Sequence, residues 1–145
     1  MKNPISRSMP LKTEFLVSCY NTPSETVRRL FYVVVRAGHL RSAPDYRIDR
    51  DHLPGHDLLL CLSGSGFVLS NNRRFKVEPN ELAWISGYHP HAHWANPADP
   101  WELLWVRIDG RAIERHATYS RCFGFLYLPR FRFILCVESF AGSSV

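Results

Sequence analysis

From Asp45 to Asp109 the chain alternates between short apolar blocks and turn residues. Tyr46 and Ile48 alternate with Arg47 and Asp49, which is the period of a half-buried strand. Leu58–Leu62 is a continuous apolar run that predicts a strand covered on both faces. Phe67–Leu69 and Arg73–Val77 flank Asn71-Asn72 as a hairpin would, because Asn tolerates the positive φ of a tight turn. Glu78–Glu81 is a further turn, and Leu82–Ile85, His91–Ala95 and Trp101–Ile108 complete the strands. Ser86–Pro90 and the two-proline stretch Asn96–Pro100 connect them. Short strands at steady spacing, with Gly, Pro and Asn between them, predict a mainly β domain built as a sandwich or barrel.

The flanks differ. Residues 1–21, with Pro4 and Pro10, read as an irregular N-terminal arm. Thr22-Pro23-Ser24-Glu25 predicts a helix start with Thr22 as the cap and Pro23 in the first position, giving a short helix over about Pro23–Leu30. Phe31–Val35 is β-branched and aromatic, hence a strand. The expected domain is therefore 22–110. In the tail, 111–145, Arg111–His116 could begin a helix, and beyond it no period of either kind is visible. Scattered Arg, Phe and Cys around Pro129 are what a truncated or frameshifted end would leave.

Composition adds boundaries. The 145 residues suffice for one domain, and 46% hydrophobic with 21% charged residues is the range of a globular protein. The net charge of +5 comes almost entirely from Arg, and there is no basic block; Arg28-Arg29 and Arg73-Arg74 are the densest pairs and read as solvated turns. The four cysteines form no C-x-x-C pair, so a reducing cytoplasm is the expected compartment. No run approaches the ~20 apolar residues that cross a bilayer by helix, and no secretory leader is visible.

Four stretches carry a resemblance as a set. They are Ala37-Gly38-His39 with Tyr46–Arg50; Leu58–Leu62 followed by Ser63–Gly66; Val77–Leu82 leading to Pro90-His91; and Pro100–Val106 ending in Asp109-Gly110. Their order and spacing resemble the N-terminal effector-binding domain of AraC-type transcriptional regulators. The resemblance covers about residues 30–110. It implies a cupin-like jelly-roll barrel with a small effector, such as a sugar, inside, and no cofactor.

The resemblance also implies site residues. Arg50 falls where sugar-sensing members hydrogen-bond ligand hydroxyls, a task suited to a five-donor guanidinium. Trp105 falls on a ligand-stacking position, and His93 on the position of a family aromatic. Tyr46, His91 and Trp101 complete the expected ligand-binding set. His93 in place of the aromatic, and Leu103 in place of a polar ligand residue, speak against a simple sugar held in the family's pose.

The residues themselves leave alternatives. Trp101 and Trp105 could be core, and Arg50 could pair with Asp49 or Asp51 on the surface. Trp84 and Trp94 read as packing residues. His89, His91 and His93 share one face of a strand and offer a different class, a metal-dependent cupin enzyme completed by His52 or His56. His52-x-x-x-His56 has neither the His-x-His spacing nor the following Glu of the first metal-binding cupin motif, and His91 reads instead as a turn-exit residue. No nucleophilic triad and no phosphate-cradling Gly loop can be read, and 35 residues after Gly110 are too few for the paired helix-turn-helix units of an AraC-type DNA-binding part. The expectation is thus a ligand-sensing domain without its own DNA-binding module, not an enzyme, acting as a homodimer or left without its output half.

Overall fold

The computed structural model describes residues 10–110 and the strand of residues 132–136. Ten strands and one short helix follow in order: β1 (Glu14–Tyr20), α1 (Glu25–Leu30), β2 (Val33–Arg41), β3 (Arg47–Arg50), β4 (His56–Ser63), β5 (Gly66–Ser70), β6 (Arg73–Val77), β7 (Glu81–Ser86), β8 (His91–Ala95), β9 (Glu102–Asp109) and β10 (Arg132–Cys136). They form a six-stranded sheet of order β1-β2-β9-β4-β7-β10 and a four-stranded sheet of order β3-β8-β5-β6. All ladders are antiparallel except β7–β10, which is parallel. The fold is a mainly β, cupin-like jelly roll, as expected.

Local chemistry explains the turns. Asn71 and Asn72 take φ of 52° and 57°, closing the β5–β6 hairpin in the left-handed region that Asn tolerates. Asn80, at φ 66°, makes the turn into β7. The helix begins two residues later than the sequence suggests. Ser24, not Thr22, is its cap: Ser24 is extended, and its hydroxyl accepts from the Val27 N–H at 3.4 Å. Pro23 therefore precedes the cap instead of opening the helix.

Two further expectations change. Residues 14–20 are not irregular; they pair with β2 as an edge strand, exposed at every position. The Leu58–Leu62 run is not sealed on both faces: Leu59 and Cys61 are buried, whereas Leu58 and Leu60 are half-buried and Leu62 is exposed. In the tail, Arg132–Cys136 is strand, and the helix start expected at Arg111–His116 lies outside the described residues.

The core sits between the sheets. Leu40, Leu59, Cys61, Ala83, Ile85 and Leu103 of the larger sheet meet Val68, Val77 and Ala95 of the smaller, with Trp101 at the entry to β9. Deleting a buried Leu from such a packed layer typically costs about 2–5 kcal/mol.

Candidate functional site

Strand register sorts the inward side chains into rows. Arg50, His91 and Ser70 pair across the smaller sheet, and on the larger sheet Asp57 sits opposite Ile85 and Arg107. The next row holds Ile48, His93 and Val68, facing Ala83, Leu59, Trp105 and Gly38. The third is apolar, with Leu40, Cys61 and Leu103 beside Trp101. The interior therefore runs from charged at one end to hydrocarbon at the other.

At the charged end, the Asp57 carboxylate accepts from Arg107 Nη1 at 2.8 and 2.9 Å and from Arg50 Nη1 at 3.2 Å. Arg107 Nη2 also donates to the carbonyls of Leu53 and Pro54, so this guanidinium holds the loop before β4. Arg50 pairs with neither Asp49 nor Asp51: Arg47 takes Asp49 outside the barrel through two 2.7 Å hydrogen bonds. Period-two geometry points Arg50 inward and Arg47 outward.

The histidines divide by face. His91 Nδ1 donates to the His89 carbonyl at 2.9 Å, leaving Nε2 buried, 3.9 Å from Asp57 Oδ2 and without a hydrogen-bond partner. His93 Nε2 meets the Tyr46 hydroxyl at 3.3 Å, and its Nδ1 is buried and unpartnered. Burial, the Arg50 cation and neighbouring His91 lower the His93 pKa from 6.5 to about 3, so this imidazole is neutral. Burial also pushes the Tyr46 phenol up to about 12. His56 lies on the other face of β4, where Nδ1 accepts from Trp84 Nε1 at 3.0 Å, and His52 sits edge-on to Tyr88. Among the described residues, no three His, Cys, Asp or Glu side chains converge where they could hold a metal ion.

Trp101 is fully buried, its ring against Gly66 and 6.2 Å from His93. Trp105 lies over Gly38, where an added Cβ would stand 2.7 Å from the indole. Both indole N–H groups are buried without a partner. Solvent nevertheless reaches the inner rows, since Ile48, Arg50 and Trp105 are half-buried.

Of the six residues expected at a ligand site, Arg50, His91, His93, Tyr46, Trp101 and Trp105 all lie on inner rows or against them. Asp57 and Arg107 were missed by sequence reasoning. Their signal was parity: Arg107 is two residues beyond Trp105, and Asp57 two before Leu59, so both share the inward phase.

Comparisons place this geometry among known proteins. The family model described as the AraC-like ligand binding domain matches residues 33–122. The MmsAB operon regulatory protein of Pseudomonas aeruginosa is 29% identical over 77 residues, which is 50% of this chain and 25% of that protein. The chain thus matches about a quarter of the length of this curated relative. Among solved structures, the Cnp3 cupin domain of Schizosaccharomyces pombe aligns with a TM-score of 0.52 at 12% identity, covering 86% of this chain and 80% of that one. A cupin superfamily protein from Desulfitobacterium hafniense gives 0.50 at 15% identity, covering 73% and 94%. At such identities the structural likeness speaks for the fold alone.

Proposed function

The chain belongs to the AraC-like ligand-binding domain family, and from that premise we propose that it senses a small metabolite between its two sheets for a transcriptional regulator. The observation that carries this reading is the set of unpartnered polar atoms in the interior. His91 Nε2, His93 Nδ1 and the indole nitrogens of Trp101 and Trp105 are buried with no hydrogen-bond partner. A buried polar group left unpaired costs about 1–3 kcal/mol, so four together are best explained as binding capacity. The relative's name, a regulatory protein of an operon, supports transcriptional output.

In the proposed mechanism the effector packs on the accessible side of Trp105 and bonds Arg50, with Tyr46, His91 and His93 lining the opposite wall. Trp101 is the floor. Occupancy is read out through the larger sheet, because β9, which carries Trp105, pairs with β2, and β2 pairs with β1 at the sheet edge. A ligand that prefers one arrangement of this sheet shifts the population of the other surfaces it forms.

A thermal-shift screen over sugars and small organic acids, with intrinsic tryptophan fluorescence as a second readout, tests the reading. The best ligand should raise Tm and alter the emission, and Trp105→Ala should lose most of both responses. A Trp105→Ala protein that shifts fully with that ligand would show that the site lies elsewhere.

A further inference from the structure

The geometry points to a small monocarboxylate as the ligand class, its carboxylate held by Arg50 and its body by the half-buried Trp105 and Ile48. This inference rests on the ligand-sensing reading above and narrows it.

The first argument is charge. The inner rows hold two guanidinium groups, Arg50 and Arg107, against one carboxylate, Asp57. Asp57 cannot neutralise both, so one positive charge is left over inside the barrel. His93 adds no charge, being neutral. Arg107 is spent, since it donates to both Asp57 oxygens and to the Leu53 and Pro54 carbonyls. Arg50 is not: it gives Asp57 one bond through Nη1, and it is only half-buried, open to an incoming group. The surplus charge therefore sits on the group that can be reached.

The second argument is the kind of hydrogen bond on offer. The interior groups still open are mostly donors: the remaining Arg50 N–H groups and the two indole N–H groups, which can do nothing else. The imidazole nitrogens of His91 and His93 add one position each. The carboxylate in these rows, Asp57, already accepts three N–H bonds. A polyol needs acceptors for each of its hydroxyl protons, and this wall offers few. A carboxylate brings only acceptors, and an Arg fork binds it with two parallel bonds.

The third argument is shape. The accessible side chains in the row beside Arg50 are Ile48 and Trp105, and the row's one imidazole, His93, is uncharged, so one anionic end and a compact apolar body fit. A phosphate dianion would need a second free cation, and Arg107 is already engaged.

The test uses the whole chain at constant chloride ionic strength. Propanoate and benzoate are compared with propanamide and benzamide, the neutral isosteres, and with glucose and inorganic phosphate, by thermal shift and tryptophan fluorescence titration. At least one acid should bind and its amide should bind at least tenfold more weakly. Arg50→Gln should weaken the acid at least tenfold, while Arg50→Lys keeps part of the affinity. An amide that binds as well as its acid overturns the inference, as does an Arg50→Gln protein of unchanged affinity. The acid–amide comparison needs no variant, so a misfolded Arg50→Gln protein cannot shield the claim. Tighter phosphate binding would replace the monoanion with a dianion. Glucose binding without acid binding would reject the anion yet leave the sensor reading intact, whereas silence from every probe would count against both.

Discussion

His93 shows how far one inner position can depart from its residue's ordinary chemistry. It is buried at 5% exposure, bonded to Tyr46, and held neutral to about pH 3 by burial and by the Arg50 charge. Unfolding releases it to an ordinary pKa near 6.5. Below that value the unfolded chain takes up a proton that the folded chain refuses. The unfolded state then binds more protons, so stability is complete above pH 6.5 and falls as the pH drops from there toward 3. His56, lowered mainly by burial, adds a contribution of the same sign. Urea denaturation across this window should show decreasing stability, and His93→Gln should flatten the slope. An equal slope in the variant would mean that other groups set the acid limit.

At the scale of elements, the pairing of β2 with β9 decides how the site is shaped. Gly38 leaves the space that the Trp105 indole occupies, and a Cβ there would stand 2.7 Å from three of its ring atoms. Gly38→Ala should therefore displace the indole, at a cost of about 1–3 kcal/mol. It should shift tryptophan emission and weaken effector binding while the far-UV spectrum stays unchanged. Unaltered emission would show that the ring has room the structure does not suggest.

The strands themselves were legible because β7, β8 and β9 carry clean turn chemistry at both ends. Asn71-Asn72 and Asn80 did what Asn does at positive φ. What escaped was whatever depends on distant partners. β1 reads as irregular because its apolar and polar residues follow no period, and every one of its positions is exposed; its ladder with β2 alone makes it a strand. The Asp57–Arg107 pair, 50 residues apart in sequence, escaped for the same reason. Arg50 was placed by family likeness, and its true partner, Asp57, by the fold.

The whole molecule is held unevenly. All other ladders are antiparallel, but β10 docks on β7 in parallel at the edge of the larger sheet. Parallel ladders are slightly weaker per residue, and an edge strand is paired on one side only. This ladder should therefore open well below the free energy of global unfolding. Hydrogen exchange should find the amides of Arg132–Cys136 less protected than those of Leu58–Leu60, and equal protection would contradict it. The family match ends at residue 122, before this strand begins. β10 thus lies beyond the matched residues, and its release would uncover a row of β7 backbone donors and acceptors.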